Sequence, residues 1–323
     1  MSRYGRLVAA LVLVVGFGGE SMAQVPPEGT GATAVTGMEP LTWLQRDNLA
    51  LAELDFAAAP DELRSLAVTI AMGGVPALEP LQALGEDIDR SYPQRPSNGQ
   101  TLLSAALQYG NVEAVDALLA AGADPLSRID PDSPSARASQ QDFLYLAVTA
   151  YGPWIEAEDR YDMTLSNQVL ALYLKHGGDP DHAWSDGRLV IEETISPGNV
   201  EGFDMLLAAG ADPWRGTGQP DPLPVRLVAQ SGTIANPFIR SLVEQGFYDS
   251  VTDAQMAEMI GGATRQLTMG VQADRVAMTP LFYDRFGDYA DVFKLLLEQS
   301  GHALPEETEL YRLLYQDDHL YRD

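Results

Sequence analysis

The chain contains no cysteine. That absence excludes a disulfide framework, a thiolate metal site and a lipid anchor on an N-terminal cysteine. Positive charge is also scarce, with 20 Lys and Arg against 46 Asp and Glu and a formal net charge of −26. A phosphate-binding protein needs a basic stripe, and no stretch of this sequence supplies one, so nucleic acid is not the expected partner. Such acidity suits solubility, divalent cations, or a basic protein partner drawn in by the summed field. Beyond the first residues there is no apolar run near the ~20 residues that a membrane-spanning helix needs. A G-x-S-x-G elbow, a Walker loop, an H-E-x-x-H pair and a dinucleotide fingerprint are all missing, and only four histidines occur.

What the first residues do contain is a basic start at Arg3 and Arg6, a stretch free of charge from Leu7 to Gly19, and small residues around Ser21-Met22-Ala23. This layout predicts a secretory signal peptide over residues 1–23, cleaved after Ala23, with no membrane insertion thereafter. Residues 24–39 are rich in Gly, Pro, Thr and Ala and read as a flexible linker, which leaves 40–323 as the folded part. A soluble periplasmic protein of a Gram-negative bacterium is the simplest destination.

The folded part repeats itself. Asn98 to Pro125 reads NGQTLLSAALQYGNVEAVDALLAAGADP, and Arg188 to Pro213 reads RLVIEETISPGNVEGFDMLLAAGADP. Each carries a Gly-Asn-Val-Glu turn, at Gly110 and Gly198, followed by a Leu-Leu-Ala-Ala-Gly-Ala-Asp-Pro ending at Gly122 and Gly210. Between them Val112, Val115, Leu118 and Leu119 recur with helical period, as do Val200, Phe203, Leu206 and Leu207, so each helix shows one apolar stripe to a neighbour. Glycine then ends the helix in the left-handed conformation, and the following proline cannot continue it. Fainter copies are Val75, Leu78, Leu81 and Gly85; Val169, Leu170, Tyr173, Leu174 and Gly177; Ile239, Leu242, Val243 and Gly246; and Phe293, Leu296, Leu297 and Ser300.

These segments resemble the ankyrin repeat, a helix opening with T-P-L-H, a turn at Gly, and a second helix ending in Gly-Ala-Asp before a protruding hairpin. At the T-P-L-H positions this chain has Thr101-Leu102-Leu103-Ser104, Leu189-Val190-Ile191-Glu192 and Thr279-Pro280-Leu281-Phe282. All three lack the family's His, which predicts softer coupling between repeats. Of the five intervals between helix-ending positions, three lie near the ~33-residue ankyrin period and two run roughly 20 residues longer, too little for a further repeat. The expectation is therefore an all-α ankyrin-repeat solenoid of six repeats, near 61–97, 98–140, 141–187, 188–220, 221–250 and 276–307, with short hairpin fingers. Helical caps are expected at Leu41 to Ala58 and within 306–323, because end repeats otherwise expose an apolar face. Two insertions are expected, near Gly152 to Ser166 and from Val251 to Val276, the second with a short helix from Ala254 to Ile260 capped by Asp253.

The candidate partner-binding residues are Trp154, Tyr161, Trp184, Trp214 and Arg215. Trp184 and Trp214 follow Gly-Gly-Asp-Pro and Gly-Ala-Asp-Pro, which places them on adjacent fingers, either as exposed anchors or packed on the neighbouring finger. Trp154 and Tyr161 stand among Glu156, Glu158, Asp159 and Asp162 in the first insertion, a recognition loop or a solvated extension of the helix ends. His176, Asp179, Asp181, His182 and Asp186 crowd one turn where N and O ligands could hold a divalent ion, although such turns are rich in Asp in any case. The reading is of a monomeric, non-enzymatic scaffold with no cofactor that binds a basic protein. The resemblance also brings two sharper versions, an immunity protein that neutralises a periplasm-delivered toxin such as a lipase and an accessory factor in oxidative-stress protection. A carboxylate- or metal-dependent hydrolase is the enzymatic alternative.

Overall fold

A computed structural model describes residues 42–92, 100–127, 142–150, 152–155, 160–216, 219–274 and 280–316. The expected signal peptide over 1–23 and the expected linker over 24–39 lie outside the described residues, as do Glu156, Glu158, Asp159, Thr279 and the part of the expected cap beyond 316.

The helices are α1 (Trp43–Asp55), α2 (Asp61–Ala71), α3 (Leu78–Ala83), α4 (Leu102–Gln108), α5 (Val112–Ala120), α6 (Phe143–Thr149), α7 (Thr164–Lys175), α8 (Val190–Glu193), α9 (Val200–Ala208), α10 (Leu223–Gln230), α11 (Asn236–Glu244), α12 (Asp253–Asp274), α13 (Pro280–Ser300) and α14 (Glu309–Tyr315). Between α6 and α7 stands a two-stranded antiparallel hairpin, β1 (Trp154–Ile155) with β2 (Arg160–Tyr161). Two rows of helices result. One row runs α2, α4, α6, α8 and, further along, α10, α12, α14; the other runs α3, α5, α7, α9, α11, α13, each helix touching the next in its row. This is the architecture of stacked helical pairs, in which a pair contacts chiefly its neighbours.

The turn between the helices of a pair explains its own sequence. Gly110 and Gly198 adopt φ values of 68° and 77°, which glycine takes without steric cost. The asparagine that follows is the N-cap of the second helix: the side chain of Asn111 accepts from Ala114 N–H at 3.0 Å, and that of Asn199 from Gly202 N–H at 2.9 Å. Asn111 also reaches back to the preceding pair, its Nδ2 donating to Ile70 O at 3.0 Å and Gly74 O at 2.9 Å. Neighbouring repeats are thus hydrogen-bonded without the T-P-L-H histidine. At the corresponding position, Ser104 closes a capping box with Thr101 on α4.

The buried residues form two clusters that meet at the α6–α7 pair. Phe143, Ala147 and Val169 belong to the N-terminal cluster, while Leu144, Val148, Leu170 and Tyr173 belong to the C-terminal one. Successive residues of one helix pair therefore serve the cores on either side.

The structure corrects three expectations. In the first repeat Val75 is 51 % exposed and Leu78 is 46 % exposed, and of that stripe only Leu81 is buried in α3, because this helix is six residues long and does not present a full stripe. The first insertion is not an open loop but carries the β1–β2 hairpin. The stretch from Val251 to Val276 is not an appendage either: its helix does not stop at Ile260 but runs to Asp274 and packs on α10 and α14. Met256, Met259, Ala263 and Leu267 supply its buried face. Its cap is Thr252, whose Oγ1 accepts from Gln255 N–H at 3.3 Å, with Asp253 the first helical residue.

The helix continues through Gly261-Gly262, just past the expected end at Ile260, and at Gly262 α12 lies close against α10. A Cβ there would lie 2.2 Å from Cα of Ala229, a backbone atom that cannot turn aside. At Gly261 the nearest atom would be the movable Nη1 of Arg265 at 3.6 Å. Gly262→Ala is therefore expected to destabilise by about 3 kcal/mol through overpacking, whereas Gly261→Ala should gain up to about 1 kcal/mol of helix propensity. Thermal unfolding of the two variants beside the parent checks the opposite signs.

Candidate functional site

The long turns after α5, α7 and α9 define one edge of the stack. Gly122, Gly177 and Gly210 end these helices at φ values of 98°, 83° and 103°. The aspartates behind two of them link neighbouring turns in pairs. Asp124 N–H donates to Asp89 Oδ1 at 2.8 Å, and Asp212 N–H donates to Asp181 Oδ1 at 2.7 Å. The carboxylates of Asp124 and Asp212 in turn accept from Leu126 N–H and Trp214 N–H, each at 2.9 Å. Arg215 is exposed on this edge and donates from Nη1 to Asp181 O at 2.6 Å.

Both finger tryptophans are engaged inside the chain. Trp184 is 6 % exposed, so the expectation of an exposed anchor does not hold for it and the packing alternative describes its place. Its indole Nε1 donates to Asp142 Oδ2 at 2.6 Å, and its ring meets Tyr145 and His182 edge-on at 5.9 and 5.2 Å. Asp142 had no sequence signal of its own, but it is a linchpin: buried at the start of α6, it also accepts from Tyr145 N–H at 2.7 Å as the helix cap. The half-buried Trp214 donates from Nε1 to Phe247 O at 2.9 Å and lies edge-on to Tyr248 at 6.2 Å.

The opposite edge carries the hairpin. Gly152 N–H donates to Asp162 O at 2.7 Å and Asp162 N–H to Pro153 O at 3.0 Å, which closes the neck below β1 and β2. Trp154 faces Tyr161 across the pair with ring centroids 5.0 Å apart in an edge arrangement. Trp154 remains 46 % exposed, Tyr161 less so. The hairpin stands at the start of α7 and the finger residues after its end, so about 18 Å of helix, at 1.5 Å per residue, separates them. The five predicted residues therefore fall into two groups, Trp184, Trp214 and Arg215 on one edge and Trp154 with Tyr161 on the other.

The crowded histidine turn divides in the same way. His176 Nε2 lies 2.6 Å from Asp116 Oδ1, and Lys175 Nζ lies 2.9 Å from the same carboxylate. These hydrogen bonds, from His176 first and then Lys175, hold Asp116 below the usual carboxylate range. Asp186 takes Arg188 at 3.0 Å and Asp179 takes Asp181 N–H at 2.9 Å. Among the described residues, no three His, Asp or Glu side chains converge in a metal-ligating group. On the row of first helices, two ion pairs that sequence reasoning did not single out link Glu192 to Arg226 and Glu193 to Arg188, with burial raising both glutamates above their ordinary pKa.

His182 is the titratable member of the finger edge. Burial beside Trp184 lowers its pKa from the ordinary 6.5, against the opposing pull of Asp179 and Asp124, and its Nε2 has no partner among the described residues. The folded chain thus binds this proton less readily than the unfolded chain. The stability contributed by neutral His182 is complete above 6.5 and is lost as the pH falls through the folded-state pKa. Chemical denaturation between pH 7.5 and pH 5 should show stability declining over that window, with a shallower decline in His182→Phe, which keeps the ring against Trp184 but cannot take a proton.

No curated protein matches this chain. Residues 98–130, which hold α4, α5 and the turn after them, match the family model of the ankyrin repeat. With helical pairs stacked in two rows and glycine-ended second helices, the chain carries an ankyrin repeat over residues 98–130, set in a stack of further helical pairs.

Proposed function

We propose that the chain is a non-enzymatic scaffold that holds a basic protein in the periplasm and acts as a monomer after export. Ankyrin repeats are protein-interaction modules, and the finer reading rests on charge. Most described cations are already paired within the chain: Arg64 with Asp61, Arg90 with Asp87, Lys175 with Asp116, Arg188 with Asp186 and Glu193, Arg226 with Glu192, Arg240 with Asp288 and Lys294 with Asp291. Acidic residues outnumber basic ones by more than two to one, so a large share of the carboxylates has no internal cation to face. A surface of that sign favours a basic partner and speeds its encounter, in a salt-dependent way. Exposed Trp154, packed edge-on against Tyr161 across its hairpin, supplies the kind of aromatic anchor on which interface affinity concentrates.

The test uses the chain without residues 1–23 as bait in a periplasmic extract, washed at low and at high salt. Retention of a basic protein that high salt releases, with the affinity of Trp154→Ala weakened by about 2 kcal/mol or roughly thirtyfold, is the expected result. A captured set that is indifferent to both salt and Trp154→Ala would overturn the proposal.

A further inference from the structure

The Gly-Asn-Val-Glu turn occurs twice, and its two copies meet the preceding repeat differently. At the first copy the seam is closed, because Asn111 Nδ2 donates to Ile70 O and Gly74 O at the end of α2. At the second copy Asn199 Nδ2 makes no such bond to the end of α6 among the described residues. Helix α6 ends at Ala150 in extended backbone and leads into the hairpin, where α2 ends in a glycine turn. Asn199 Nδ2 is left with Ser166 Oγ at 3.4 Å. The inserted hairpin has thus replaced the turn that would have sealed this joint.

What remains is a cleft of about 260 Å³ lined by Met163, Asn167, Gly198, Asn199, Val200 and Glu201. Asn167 is 8 % exposed, and its Oδ1 has no hydrogen-bond partner among the described residues. An unpaired buried acceptor costs on the order of 1–3 kcal/mol, and a small turn of the Asn167 amide that brings this buried oxygen to a donor in the cleft would recover that loss. The Nδ2 of Asn167 is tied to Glu201 Oε2 at 2.7 Å, so the amide oxygen and an exposed carboxylate belong to one hydrogen-bonded unit. Met163 and Val200 provide an apolar wall for the stem of a side chain. The volume is below the roughly 300 Å³ at which small-molecule sites begin, which favours a single side chain over a larger ligand.

We infer that this inter-repeat cleft binds an arginine side chain of a protein partner, with the guanidinium shared between Glu201 and Asn167 Oδ1. Arginine suits the cleft because its planar fork donates in two directions at once, to a carboxylate and to an amide oxygen, which a point-like ammonium does less well. The carboxylate keeps free lone pairs after accepting from Asn167. The hairpin that carries exposed Trp154 ends at Tyr161, two residues before Met163 of the cleft lining, so the chain runs directly from one to the other. The inference rests on the protein-binding reading above and specifies one contact of it.

The test titrates the isotopically labelled protein with N-acetyl-arginine amide, and with N-acetyl-citrulline amide as the uncharged isostere, and follows amide NMR signals. Saturable shifts confined to the Asn167 side chain and to residues 198–201 are expected with the arginine probe. They should weaken roughly fivefold in Glu201→Gln, the upper range for an exposed ion pair. Glu201 is exposed, so this variant should fold; Asn167→Ala provides the second loss if its spectrum shows an intact stack. Equal response to the citrulline probe, shifts scattered over the acidic surface, or none at the cleft would overturn the inference and leave a water-filled joint. Failure here with a salt-sensitive partner still captured removes only the cleft. A responsive cleft with no partner captured removes only the scaffold reading.

Discussion

A pair of short helices cannot hide its own apolar face, and everything else in this protein follows from that constraint. The α6–α7 pair states it most plainly: Phe143 and Val169 enter one core while Leu144 and Leu170, their chain neighbours, enter the next. Burial on both sides is available only when a further pair stacks on each side, so cohesion is distributed along the joints between repeats. At the ends, α1 packs on α2, and α14 packs on α12 and α13.

Where the sequence repeats itself closely, the fold was legible. The Gly-Asn-Val-Glu and Leu-Leu-Ala-Ala-Gly-Ala-Asp-Pro segments announce a turn, one apolar stripe and a left-handed glycine at the helix end, and each appears in place, while the asparagine caps emerge only in the structure. Legibility failed where tertiary contact overrides local preference. Gly262 lies inside α12 at the point where the helix presses on Ala229, a fact no local pattern contains. Val75 and Leu78 keep the register of the stripe while lying at the surface.

The candidate site was legible in composition more than in geometry. Tryptophans after the aspartate-proline turns were visible, but their being turned inward depends on acceptors distant in sequence, Asp142 for Trp184 and the Phe247 carbonyl for Trp214. The hairpin that replaces a turn after α6 could be seen as extra length, not as the reason one joint lacks its seal. On the proposed reading, function lies in departures from the repeat: an insertion beside which Trp154 is exposed and Asn167 Oδ1 has no partner among the described residues, on a surface whose cations are largely occupied. The regular joints hold the stack, and the irregular one is where the proposed contacts gather.

Hydrogen exchange at the two equivalent turns probes the joints most directly. Ala114 and Gly202 make the same local bond to their capping asparagines, at 3.0 and 2.9 Å, so a difference in protection reports the joint behind each turn and not the cap. Stacking with one sealed and one opened joint predicts slower exchange across residues 110–114 than across 198–202. Equal protection at both, or the reverse order, would contradict it.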